Sequence, residues 1–247
     1  MAILIDMSGF DPFGQLFGDS RLSRSAEAAA SAIAQVHRRP AALRQYEVIS
    51  SESLLRGARS GLILDGFDRD LFGGRLESGA VTDELARAVR IAGALAPDRH
   101  ATTVRTFARA PLQVIAGLDV AAGGDGTPAD PQRMQALAQL IVATAAGKCG
   151  ANADRGLPVV AHAEIVGRTL CGARSGGIGR MVARIAAVTT GFDPRGLAVP
   201  EPYLVRHKAR YAQCLEDYEK DPLPLLILLF EAWEAGAREA EGIARAL

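Results

Sequence analysis

Cysteine, aromatic residues, net charge and long apolar runs are all in short supply in this chain. Its three cysteines, Cys149, Cys171 and Cys214, lie far apart and show no CxxC spacing. An odd, sparse set argues against a disulfide framework or a zinc site, and suits a reducing cytoplasm. Aromatic residues make up only 5 %, while alanine abounds, which favours helices over strands. Acidic and basic residues balance at 28 each, so no global field draws the chain to nucleic acid or to an anionic membrane. The longest apolar run, Pro222 to Phe230, stops at Glu231 and is too short for a bilayer. The first residues have no basic region and reach Asp6 early, so no signal peptide is expected.

What is present is ordinary globular composition, 49 % hydrophobic and 23 % charged over 247 residues. That length supports one large domain or two small ones, and no linker or repeat demands a division. Residues 1–19 carry glycine, phenylalanine and proline without period and read as an irregular arm. Residues 20–247 read as one mostly α-helical domain. Helices are expected from Ser20 to about His37 and from Pro40 to Leu64, the latter ended by Asp65-Gly66. Leu43, Tyr46, Val48, Leu54, Leu55, Ala58 and Leu62 form the apolar stripe of that second helix. Phe67 to Gly79 reads as loop, and Thr82 caps a helix to about Leu95. Others are expected near 98–107, 111–122, 131–146, 158–168, 201–219 and 223–246, the last with Leu225, Leu228, Leu229 and Trp233 inward. The Leu225–Phe230 run suits core or a contact between copies of the chain, so a homo-oligomer stays open.

The segment Gly172 to Gly179 is a glycine-rich turn that runs into a helix. Ile178, Met181, Val182, Ile185 and Val188 mark the apolar face of that helix, and Arg180 and Arg184, four apart, share another. Placed in the first turn, Arg180 would join unpaired backbone amides in a nest for an anion. The plainer alternative is a flexible connection whose arginines are solvated or paired internally. Neither a P-loop ending nor a GxGxxG after a strand is present. Other candidates read as structural. Cys171 and His162 suit core, and His207 a basic surface patch. Asp119, Asp125 and Asp130 are too loosely spaced for a calcium loop.

Three stretches together carry a resemblance: Ala161-His-Ala-Glu-Ile-Val-Gly-Arg-Thr-Leu170, the glycine turn, and Gly191-Phe-Asp-Pro-Arg-Gly-Leu-Ala-Val-Pro-Glu201. With Glu52–Arg59, Arg109–Val114 and Glu234–Glu239, they resemble the Fic (Fido) proteins, most of all a divergent group common in actinobacteria. The resemblance runs from about residue 45 onward, with the signature region at about 161–201. It implies a helical Fic-like fold with a short β-hairpin flap, and transfer of AMP from ATP to a protein hydroxyl. In the family signature a histidine is the base, an acidic residue holds magnesium and a Gly-Asn-Gly-Arg turn cradles phosphates.

Here Arg168 stands at the histidine position and Leu170 at the phenylalanine. With one residue inserted between Leu170 and Ser175, Ser175 replaces the asparagine and Gly176 keeps the next glycine. Gly177 then replaces the first arginine, and Arg180 keeps the second. Gly172 or Ala173 falls where the magnesium carboxylate belongs. The phosphate-binding set implied is therefore Ser175, Gly176, Gly177, Gly179 and Arg180, for ATP or another phosphate-bearing ligand. No metal ligand is expected from the protein, and Mg²⁺ would depend on nucleotide phosphates and water.

An arginine stays protonated and cannot act as the base, so Arg168 is left an electrostatic role and catalysis is altered or lost. The alternative is a non-catalytic pseudoenzyme or interaction module on the same scaffold. Gly61-Leu-Ile-Leu-Asp65-Gly66 also resembles the family's inhibitory motif, in which an acidic residue pairs with the second signature arginine. The resemblance thus implies an Asp65–Arg180 contact. The alternative is that Asp65 simply ends its helix in solvent.

Overall fold

The computed structural model describes residues 11–67 and 83–247. The early part of the arm, most of the expected Phe67–Gly79 loop and the Thr82 cap lie outside the described residues. Within them are twelve α-helices and no strand. The hairpin flap implied by the resemblance is therefore not seen among the described residues.

In chain order the helices are α1 (Ser20–His37), α2 (Pro40–Arg44), α3 (Tyr46–Leu64), α4 (Asp83–Ala92), α5 (His100–Arg109) and α6 (Pro111–Ala121). There follow α7 (Pro131–Ala145), α8 (Ala153–Gly167), α9 (Ser175–Thr190), α10 (Glu201–Arg206), α11 (Lys208–Glu216) and α12 (Leu223–Arg245). Their buried residues form one contiguous hydrophobic core. None of them is long and apolar enough to cross a membrane.

Local chemistry explains most boundaries. Asp19, rather than Ser20, caps α1 by accepting from the amides of Arg21 and Leu22, and Asp130 caps α7 through Arg133. Gly66 (φ +99°) closes α3 and Gly191 (φ +80°) closes α9, both in the left-handed region. Pro40, Pro111 and Pro131 open helices at the position where a missing amide costs nothing.

Two long helices of the sequence reading are each split. Gln45 leaves helical geometry (φ −130°, ψ 29°) and separates α2 from α3. His207 does the same between α10 and α11 (φ −113°, ψ 31°). The first break rotates the chain, so Leu43, Tyr46 and Val48 are 55 %, 42 % and 52 % exposed instead of buried. A third expectation changes in the other direction: α8 begins at Ala153 and runs through Pro158. The proline cannot donate to the Asp154 carbonyl one turn back, and the Thr190 hydroxyl fills that role at 2.7 Å.

The α8–α9 pair forms the centre of the molecule. Gly179 lies so close to α8 that an added Cβ would stand 2.5 Å from Val166 Cγ2. Contacts at Gly179/Val166 and at Thr190/Asp154 mark the two ends of an antiparallel pair. α1 packs on α12, which carries Leu225, Leu228, Leu229 and Trp233 inward. The arm is tied down where it is described, because Phe13 is fully buried against Gly156.

Candidate anion site

The glycine-rich segment is mostly helix. A short 3₁₀ turn, Gly172–Arg174, leads into α9, which begins at Ser175. Gly176, Gly177 and Gly179 are therefore helical, and Arg180 lies in the second turn instead of the first. This corrects the image of a glycine nest around Arg180. The helix start still leaves its first amides without intrahelical partners, and Ser175 closes the turn beneath them. Its hydroxyl accepts from the Cys171 amide at 2.9 Å and donates to the Gly172 carbonyl at 2.7 Å.

Arg180 and Arg184 both cross from α9 to α3 and are buried. The face of α3 that receives them is built from small residues four apart: Ser53, Gly57 and Gly61, ending at Asp65. A Cβ on Gly57 would lie 2.5 Å from Arg184 Nη1, and one on Gly61 would lie 3.2 Å from Arg180 Nη2. Arg184 donates to the Ser53 carbonyl at 3.2 Å and to the Gly196 carbonyl at 3.4 Å. Arg180 donates to the Gly61 carbonyl at 3.2 Å and to Asp65 Oδ2 at 2.6 Å. The Asp65–Arg180 contact is thus present. Gly176 makes room for it, since a Cβ there would stand 2.5 Å from Asp65 Oδ1. The carboxylate consequently sits beside both the guanidinium and the start of α9, where a bound anion would gain most.

Below Arg180 the network continues inward. Tyr211 is pushed up to about 12 chiefly by burial, against the pull of the arginine. His162 and the Tyr211 hydroxyl are hydrogen bonded at 2.7 Å. Burial first, and Arg180 second, drive the His162 pKa down to about 3. Burial also opposes charge on Arg180, but Asp65 leads the groups that outweigh it, and the guanidinium stays charged.

Between α3, α4 and the start of α9 lies a cavity of about 310 Å³. Leu54, Leu62, Ile91 and Met181 give it an apolar wall, while Arg174, Arg180, Arg184, Asp65 and Glu201 supply charge. Arg87 adds a further arginine, paired with Glu84 of its own helix at 3.2 Å. Arg174 is held by buried Asp119 at 2.7 Å, and Asp119 also accepts from the Gly126 amide at 2.9 Å.

Of the residues singled out from the sequence, the structure brings Asp65, Gly177 and Arg180 to this cavity, with Gly176 against Asp65 and Arg180. Gly66 ends α3 next to them. Gly179 faces α8, and Ser175 is spent on the turn. Arg168 does not line the cavity. Its guanidinium pairs with buried Glu164 at 3.0 Å and with Glu219 at 2.6 Å, and lies over the Tyr218 ring. Burial pushes the Cys171 thiol up to about 11, which removes it as a nucleophile near neutrality. Among the described residues, no cluster of three or more His, Cys, Asp or Glu is arranged to hold a metal.

The sequence reading placed Arg184 on one helix face with Arg180 but gave it no partner, and it assigned no role to Arg174 or Glu201. The spacing of small residues along α3 was the signal that could have pointed to the two buried arginines. No family model matches the chain, and no curated protein is significantly similar to it.

Proposed function

We propose that the chain binds a phosphate-bearing small molecule in the cavity between α3, α4 and α9, with Arg180 as the principal phosphate ligand. The observation that carries this reading is a buried arginine on a cavity wall whose one ion-pair partner among the described residues, Asp65, is partly exposed at the mouth. Asp65 occupies the position an incoming anion would take. Binding therefore exchanges one carboxylate for a phosphate at a charged donor and a helix start, with no new buried charge left unpaired. The apolar wall gives the organic part of the ligand a surface to cover.

ATP or a related nucleotide is the ligand that the resemblance to Fic proteins implies. AMP transfer itself is disfavoured. Arg168 is engaged with Glu164 and Glu219, Cys171 stays protonated, and the positions matching the magnesium carboxylate are Gly172 and Ala173. The reading is thus a binding protein on a helical scaffold, with transferase chemistry altered or lost. A protein acceptor belongs only to the transferase version.

Calorimetric titration with ATP, ADP and inorganic phosphate tests this directly. Arg180→Ala should abolish binding. Asp65→Asn should tighten it, on the order of tenfold for release of a charge-assisted pair. If none of the three ligands binds either wild type or Asp65→Asn, the phosphate reading fails. Binding without transfer of labelled nucleotide would leave the non-catalytic form in place.

A further inference from the structure

Glu201 is the most deeply buried carboxylate on the cavity wall, 3 % exposed, and its Oε2 has no hydrogen-bond partner among the described residues. The nearest cation, Arg184 Nη1, stands at 3.5 Å and balances the charge without making that bond. Arg184 directs its donors to the carbonyls of Ser53 and Gly196. A buried carboxylate oxygen left without a donor is costly, so a site that keeps one has a use for it. Glu201 also lies over Gly57, where a Cβ would come to 2.5 Å from Arg184 Nη1 and 3.0 Å from Oε2, so the glycine lets both groups reach this wall of the cavity.

We infer that Glu201 receives a hydroxyl or amine of the ligand, so the cavity takes a phosphate ester that carries a hydrogen-bond donor. This rests on the phosphate reading and makes it more specific. The geometry sets the span. Arg180 lies against Gly61 and Glu201 against Gly57, one helical turn apart on α3, which is about 6 Å. A phosphate and a terminal hydroxyl joined through a three-carbon ester span about that length. Between them the carbon chain meets Leu54 and Met181. Glu201 is paired with Arg184 at 3.5 Å, and a hydrogen bond to a carboxylate is stronger than one to a neutral acceptor.

Two probes separate the anion from the donor: n-propyl phosphate, which has only the first, and glycerol 3-phosphate, which has both. Each is titrated into wild type and into Asp65→Asn, where Arg180 loses its ion pair. Glycerol 3-phosphate should bind more tightly by on the order of tenfold, as a hydrogen bond to a charged group implies. Glu201→Gln should remove that preference and leave n-propyl phosphate within about twofold. The wild-type comparison needs no variant, so the test survives a failure of Glu201→Gln to fold. Equal affinity for the two probes, with n-propyl phosphate binding lost in Arg180→Ala, overturns the donor role and keeps the phosphate reading. No binding of either probe overturns both.

Discussion

His162 shows how strongly one buried charge conditions its neighbours. It is enclosed in α8, bonded to Tyr211, and faces the charge of Arg180 across that phenol. Protonating it would place a second cation in the core, so it stays neutral down to about pH 3. In the unfolded chain it would take up a proton near pH 6.5. The folded-state value is the lower one, so between those two pH values the unfolded chain binds the extra proton. Stability should then fall as pH drops below about 6.5, by up to ~1.4 kcal/mol per unit from this group. Urea midpoints measured between pH 7 and 5 should show this decline, and His162→Asn should flatten it. An unchanged slope in that variant would assign the decline to other groups. At 4 % exposure His162 is the core residue that the sequence suggests.

Close approaches decide how the elements fit, and two glycines of α12 separate this from helix propensity. A Cβ on Gly236 would meet the backbone of Val199 and Pro200 at 2.7 Å, where the Val199 amide bonds the Gly236 carbonyl at 3.1 Å. Backbone atoms cannot turn aside as a side chain can. Gly236→Ala should therefore cost about 3 kcal/mol despite its better propensity. Gly242, where an added Cβ would meet nothing within 4 Å among the described residues, should instead gain ~0.5 kcal/mol on the same change. Denaturant unfolding of the two variants tests the pair, and equal effects would refute the close-packing account. Glycine and proline also mark what the sequence could convey at this scale. Pro40, Asp65-Gly66, Pro111 and Pro131 fix boundaries through local backbone chemistry, and all stand where expected. The buried face of α3 was legible only in part: Leu54 and Leu62 are buried as the apolar stripe predicts, but Ser53, Gly57 and Gly61 face inward to admit arginines while Tyr46 and Val48, with Leu43 of α2, face out. Hydrophobic periodicity cannot recognise an inward face that is small and polar. The start of α9 was misplaced for a related reason: glycines with ordinary helical φ look like turn residues until their neighbours are known. The Asp65–Arg180 pair came from the resemblance, whereas Glu201 joins the site only through the packing of α10 on α3.

The cavity and the core are parts of one packed unit, and this sets how the whole chain should unfold. The single tryptophan, Trp233, is buried on α12 and meets Phe192 edge-on at 5.6 Å, at the far side of the loop that leads to Glu201. α3, α9 and α10 carry the arginines and Glu201, and the same buried cluster includes residues of all three together with α1, α8 and α12. No helix of this set can leave without exposing the others, so loss of helix and exposure of Trp233 should occur together. Far-UV circular dichroism and tryptophan fluorescence should give coincident urea transitions. A phosphate-bearing ligand at a hundred times its Kd should move both to higher denaturant, by ~2.7 kcal/mol of added stability. Arg180→Ala should keep the two transitions coincident and abolish the ligand shift, because it removes the ligand's anchor and leaves the apolar core intact. Separate transitions would divide the chain into units that unfold independently. A ligand shift that survives Arg180→Ala would move the anion site elsewhere in the fold.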